Sequence, residues 1–136
     1  MSYAATAALQ EAVYAKLTSD AAVDTLTGGA IYDALPPGPV PTIYVSLGPE
    51  RVRDASDVVG DGAVHDFPVI VISDGAGFHT AKTIAAAISD ALSDADLTLS
   101  RGILTGLNFL RARARRVGNG REIEIWFRAY IDSSDA

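Results

Sequence analysis

Two long alternating segments near the C-terminus, joined by Gly118-Asn119-Gly120, constrain this chain more than any other feature. Asn-Gly is the favoured pair for a two-residue type I′ hairpin turn, in which both central residues take a positive φ. With Asn119 and Gly120 as the turn, strands over 104–117 and 121–132 pair Leu110, Ala112 and Ala114 with Ala129, Phe127 and Ile125. That makes one apolar face, small residues against large, for helices to cover. The other face then sets Arg115 against Glu124, Arg113 against Trp126 and Arg111 against Arg128, which yields a salt bridge and a cation–π contact. A slip of one residue would bring the three alternating arginines against Phe127, Ile125 and Ile123. The alternation therefore selects the face.

The rest of the chain supplies the cover. Across 3–17, Leu9, Val13 and Leu17 recur at four-residue spacing with Ala5 and Ala12 beside them, which predicts an amphipathic helix with Ser2 as N-cap. Asp20 caps a short turn of helix over 21–26 that Gly28-Gly29 ends. Ala30-Ile31-Tyr32 reads as a short strand entering a tract with Pro36, Pro37, Pro39 and Pro41, where neither helix nor inner strand can form. Residues 42–48 alternate, with Ile43, Val45 and Leu47 on one face. The polar span 49–63 is a long loop or a pair of exposed strand extensions. Residues 65–73 are apolar on both faces and belong inside a sheet, with Pro68 placing the strand's start at an edge or bulge. A second helix over 80–92 buries Ile84, Ile88, Ala91 and Leu92.

The expected order is α, short α, β, β, β, α, β, β. This is an α+β domain: a mostly antiparallel β-sheet with two main helices packed on one face, a long charged loop and a C-terminal β-hairpin. The 136 residues make a single domain, 1–136. Surface scaling gives about 6,800 Å² folded against about 20,600 Å² unfolded, so roughly two-thirds of the surface is buried. The 49% apolar residues are enough to fill that core.

Charge divides the chain. Residues 1–100 carry four basic and thirteen acidic groups, a balance of −9, while 101–136 carry seven arginines and four acids, +3, which together give the net −6. An acidic chain argues against general nucleic-acid binding, yet six of its eleven basic residues lie between Arg111 and Arg128. No apolar run approaches the ~20 residues of a membrane helix. The first residues read as helix, not as a secretory signal. With zero cysteines, disulfides, thiolate metal sites and a cysteine nucleophile are excluded.

Candidate chemistry is sparse. Gly75-Ala76-Gly77-Phe78-His79-Thr80 follows a strand and opens a helix, like a dinucleotide fingerprint, but Thr80 stands in place of the third glycine and repeated βαβ units are missing. The plainer reading is a strand-to-helix turn with His79 or Thr80 near the N-cap. His65 and His79 lack metal-ligand spacing, and Asp94-Ala95-Asp96 reads as a solvated connection. These residues point to no enzyme, no metal and no cofactor. The alternative is a small ligand- or nucleotide-binding module using the turn from Gly75 to Thr80.

The strongest candidate surface is the arginine face: Arg111, Arg113, Arg115 and Arg128 with Trp126, Glu124, Tyr130 and Phe109. Three readings are open. It is a solvent face whose arginine stems cover the aromatics, a DNA-binding face, or an interface, whose hot spots favour arginine and aromatic residues. For an interface, the acidic partner is a second copy's Asp54, Asp57, Asp61 and Asp66. Arg51, Arg53, Asp54, Asp57 and Asp61 form a second candidate region, an assembly loop flexible in the free subunit and ordered on assembly.

Several tracts carry a resemblance over nearly the whole chain. They are the N-terminal helix, Ile31-Tyr32-Asp33-Ala34-Leu35-Pro36, and Pro41-Thr42-Ile43-Tyr44-Val45-Ser46-Leu47-Gly48. The same order continues through His65-Asp66-Phe67-Pro68-Val69-Ile70-Val71, Ser73-Asp74-Gly75-Ala76-Gly77, the helix after it, and the closing hairpin with Arg128. Together they resemble the tail-terminator, or tail-completion, family of long-tailed phages and alphaproteobacterial gene transfer agents. Thr42 departs from the family pattern, where an aromatic often follows the proline. The resemblance implies a non-enzymatic virion protein, assembled in the bacterial cytoplasm and placed at the head–tail junction of the particle. It implies a homo-hexameric ring that caps the tail tube, ends its polymerisation and joins it to the head-side neck. The implied partners are the major tail tube protein, a neck or stopper protein and DNA in transient, non-specific passage, with no membrane. No individual functional residue carries over.

Overall fold

The computed structural model describes residues 3–33, 41–54, 62–74 and 78–132. Helices α1 (Thr6–Ser19) and α2 (Ala21–Thr27) come first, followed by strands β1 (Ile31–Tyr32), β2 (Ile43–Leu47), β3 (Arg51–Asp54) and β4 (Gly62–Asp74). Helix α3 (Phe78–Leu92) and the hairpin of β5 (Ile103–Val117) and β6 (Gly120–Asp132) complete the chain. The sheet runs β1-β2-β4-β6-β5, with β3 pairing β4 beyond the end of β2. Among the described residues, only the β1–β2 pair is parallel.

Each helix is positioned by the signals its sequence carries. Ala8, Leu9, Val13 and Leu17 form the buried stripe of α1. The expected cap Ser2 lies outside the described residues, and Ala5 stands at the N-cap. The Asp20 side chain accepts a hydrogen bond from the Val23 amide at 3.1 Å and so caps α2, which closes on Gly28 in the left-handed region that favours glycine. Helix α3 begins at Phe78, so His79 and Thr80 sit inside its first turn and not at its cap. It lies over β4, β6 and β5, while α1 and α2 contact β1 and β2. The three described helices share one side of the sheet, where Ile123, Ile125, Phe127, Ala129 and Ile131 are buried.

Phe127 is the keystone of that core. It is fully buried, stacked on Phe67 at 5.7 Å and edge-on to Phe109 at 6.3 Å. Phe127→Ala should cost about 3–5 kcal/mol, the range for emptying a packed aromatic site. A urea denaturation should show a lower midpoint at similar slope, and an unchanged midpoint would contradict this account of the core.

Strand pairing departs from expectation in three places. The hairpin turn is Gly118-Asn119, because Val117 pairs with Gly120. Gly118 takes φ 61° and Asn119 does not take a positive φ, which is the Gly-first class of two-residue turn. The register is thus two residues from the Asn119-Gly120 pairing, which preserves the faces and changes every partner. Bulges then leave Thr105 and Leu110 without opposites, and the second turns Phe109 to the helix side, where it is 50% exposed. Ala112 and Ala114 also face the helix side, yet both are exposed, because α3 does not reach the outer half of β5.

Pro68 sits mid-strand in β4, not at its start. Its carbonyl accepts from the Gly48 amide at 3.0 Å, on the side where β2 has ended at Leu47 and β3 has yet to begin at Arg51. The missing proline N–H falls in that gap and leaves no partner unsatisfied.

Candidate functional site

Among the described residues, the helices cover one face of the sheet, and alternation decides what stands on the other, open face. Arg111, Arg113 and Arg115 of β5 lie opposite Trp126, Glu124 and Glu122 of β6. Asp66, Pro68, Ile70 and Ile72 of β4 lie opposite Arg128, Trp126, Glu124 and Glu122. Strand β3 adds Arg51 and Arg53, beside Asp66 and Val64. The predicted residues Arg111, Arg113, Arg115, Arg128, Trp126 and Glu124 therefore do share one face.

Their partners differ from those expected, as the two-residue change of register requires. Arg115 bonds Glu122 at 3.1 Å and lies 3.7 Å from Glu124, and Arg113 lies 3.7 Å from Glu124. The guanidinium over Trp126 is that of Arg111, at 5.0 Å, and the indole N–H of Trp126 donates to Glu124 at 3.3 Å. Arg128 does not face Arg111. It makes a fork-to-fork pair with Asp66, donating from Nε at 2.7 Å and from Nη2 at 2.9 Å.

That pair has a pH signature. The hydrogen bonds and charge of Arg128 hold the Asp66 carboxyl below its ordinary range, against the opposing effect of its partial burial, with help from Arg53 and Arg111. A carboxylate with a depressed folded pKa contributes stability that is complete above its unfolded pKa, near pH 4, and is lost as pH falls through the folded value. Asp66→Asn should therefore cost about 1–3 kcal/mol at pH 7, from the loss of charged hydrogen bonds. The gap from the unsubstituted chain should narrow below about pH 4. A gap that widens in acid would contradict this assignment.

The acidic and loop residues fall elsewhere than the sequence reading placed them. Asp66 is taken within its own chain by Arg128, so it is not free to meet a second copy. Arg51, Arg53 and Asp54 lie in β3, paired to β4, so the strand-extension reading holds there and the loop reading does not, and Gly62, Ala63 and Val64 are buried in β4. Asp57 and Asp61 lie outside the described residues, as do the glycines of the 75–77 turn. Phe109 faces the helix side, away from the arginines.

The remaining polar candidates do not converge. His65 is buried in β4 with Nδ1 3.5 Å from Glu50, whereas His79 is exposed on α3. Asp94 and Asp96 are exposed on the connection after α3, with Asp94 at φ 57° and its amide donating to the Leu107 carbonyl at 2.9 Å. Among the described residues, no three His, Asp or Glu side chains gather as a metal site.

A second feature escaped the sequence reading. A groove of about 530 Å³ opens between α1 and β1 at the far edge of the sheet, with Glu11 and Tyr14 on one wall and Tyr32 and Asp33 on the other. The Gln10 side chain donates to Asp33 and ties the two walls together. Glu11 and Tyr14 fall on the exposed side of the helical stripe, so only the contact of α1 with β1 brings them beside the sheet edge.

A family model for tail completion protein gp17 matches residues 11–132, nearly all of the chain. The chain belongs to the tail completion protein gp17 family. A chain in the solved structure "Virion of native gene transfer agent (GTA) particle" is 60% identical and matches with a TM-score of 0.91, covering 96% of this chain and 99% of that one. No curated protein matches. As a tail completion protein, the chain has a structural role in a virion tail. Among the described residues of this tail completion protein, no helix is long and apolar enough to cross a membrane.

Proposed function

We propose that this chain forms a hexameric ring at the head end of the tail tube, where it ends tube polymerisation and joins the tail to the neck. DNA passes through the centre of the ring. The chain acts as a structural part of the particle at the head–tail junction and not as an enzyme.

The observation that carries this reading is that the hairpin arginines of the open face are taken up within the chain, with Arg51 and Arg53 of β3 adding positive charge beside them. Arg128 is committed to Asp66, Arg113 and Arg115 to Glu122 and Glu124, and Arg111 to the Trp126 ring. A DNA clamp needs uncommitted cations, each of which steepens salt dependence and slows release. Paired charges around half-buried Trp126, Ile70 and Ile72 suit a protein partner instead. The net charge of −6 also suits a conduit that lets DNA slide. The 60% identical chain in a GTA virion supports the same placement.

Light scattering after size exclusion tests the stoichiometry, on the chain alone and with the tail tube protein. A hexamer in either sample supports the ring. A chain that stays monomeric in both and binds a nucleotide would replace this reading with the small-ligand module.

A further inference from the structure

We infer that the outer edge of β3 accepts an extended acidic segment of a different particle protein, a strand whose alternate carboxylates meet Arg51 and Arg53. The inference rests on the reading that this chain joins other proteins at the head–tail junction, and it names the chemistry of one of them.

Strand β3 pairs with β4 on one side, and among the described residues no strand pairs with its other side. In an antiparallel pair every second residue turns its N–H and C=O away from the partner. The outer edge of Arg51–Asp54 therefore presents backbone donors and acceptors. Side chains along a strand alternate between faces. Arg51 and Arg53 stand exposed on the open face, and Val52 between them is half-buried on the helix side. An added strand would find hydrogen bonds along its backbone and two guanidiniums at its own side-chain period.

Positive charge is left over at this end of the open face. Arg51 lies directly opposite Asp66, yet both Asp66 oxygens are held by Arg128. Arg53 lies opposite Val64, whose other neighbour is Tyr130. Among the described residues, neither Arg51 nor Arg53 makes a salt bridge. The guanidiniums of Arg51, Arg53, Arg111 and Arg128 share this end with the carboxylates of Asp66 and Asp132. The edge of β5 is also free and carries arginines, but there Arg113 and Arg115 are matched by Glu124 and Glu122, and Arg111 lies over Trp126. Only β3 combines a free edge with unmatched arginines two residues apart.

Charge and backbone chemistry together select the occupant. Among the described residues, a second copy offers the free edges of β1 and β5. Strand β1 is uncharged and β5 carries arginines, so neither supplies an acidic strand. A DNA strand supplies phosphate acceptors, but its backbone has no N–H to give the β3 carbonyls. A polypeptide supplies donors and acceptors at the strand spacing. Its side chains would stand about 4.5–5.5 Å from their cross-strand neighbours, within reach of a charged hydrogen bond from each guanidinium.

Assembled particles provide the test. Amides of residues 51–54 should exchange with deuterium about tenfold or more slowly in the particle than in the free chain, as bonding of the outer edge requires. Arg51→Glu with Arg53→Glu should lower the assembled fraction about tenfold or more, as a lost 1.4 kcal/mol contact would, with circular dichroism confirming the fold. Arg51→Lys with Arg53→Lys keeps the charge and should assemble. In particles of that lysine variant, a carbodiimide, which joins an amine to a carboxylate it touches, should add a cross-link to an Asp or Glu of a protein of different mass. The unsubstituted chain should lack that cross-link. Unchanged exchange with no new cross-link would overturn the strand addition and leave the junction reading standing. A new cross-link only to another copy would overturn the occupant. Normal assembly of the glutamate variant with altered DNA retention would give these arginines to DNA and overturn the inference. Heads joined to tails in particles without this chain would overturn the junction reading itself.

Discussion

Cells that make every other particle component but lack this chain should accumulate DNA-filled heads without attached tails of defined length. A tube built by stacking identical subunits presents at its growing end the same surface it has just covered, so its own contacts give it no reason to stop. A protein whose far face is not a copy of the tube surface must end growth and offer the neck something to bind. The helix layer and the opposite sheet face of this chain are two unlike surfaces. Electron microscopy of lysates should show separated heads and tails of variable length, and gene transfer should fall to background. Normal tails in that strain would overturn the assignment.

The double substitution Arg113→Glu and Arg115→Glu should abolish assembly at the ring or neck step while the subunit stays folded. The two arginine side chains are 62% and 48% exposed. Surface changes of this kind usually cost less than about 0.5 kcal/mol. Here Glu124 and Glu122 would lie opposite like charges, adding a cost of about 0.2–1 kcal/mol per pair, still small against a typical domain stability of 5–15 kcal/mol. The surface, by contrast, changes sign along the outer half of the hairpin, and reversed charges at a docking site repel a matched partner. Intact circular dichroism with lost assembly is the expected result. Normal assembly with altered DNA retention or ejection would instead make this face the channel wall.

Much of this architecture was legible in the sequence because it depends on period. The alternation of Arg111, Arg113 and Arg115 against Ala112 and Ala114 assigned faces correctly even though the turn was placed one residue late. A two-residue change of register moves every partner and no face. What period cannot encode is where pairing begins. Whether Gly118 or Asn119 leads the turn depends on which residue takes the positive φ, and both can. Strand β3 was legible only as one of two readings of 49–63, a loop or a pair of strand extensions. Arg51-Val52-Arg53 is short and charged, and what decides for a strand is its pairing with Val64, His65 and Asp66 eleven or more residues away. The pairing of β4 with β6 sets Asp66 beside Arg128, a long-range contact that composition cannot show. The groove was invisible because its walls come from separate elements.

The position of β5 at the end of the sheet has a consequence for the chain before assembly. Among the described residues, one side of its fifteen-residue strand has no neighbouring strand, and such an edge invites a second strand to zip onto it and propagate into aggregates. Here Arg111, Arg113, Arg115 and Arg116 line the same stretch, so two identical strands brought side by side would set guanidinium against guanidinium. That repulsion disfavours pairing between two β5 strands while leaving contact with a surface of opposite sign available. A freshly made copy can thus remain dispersed in a crowded cell until the particle calls for it.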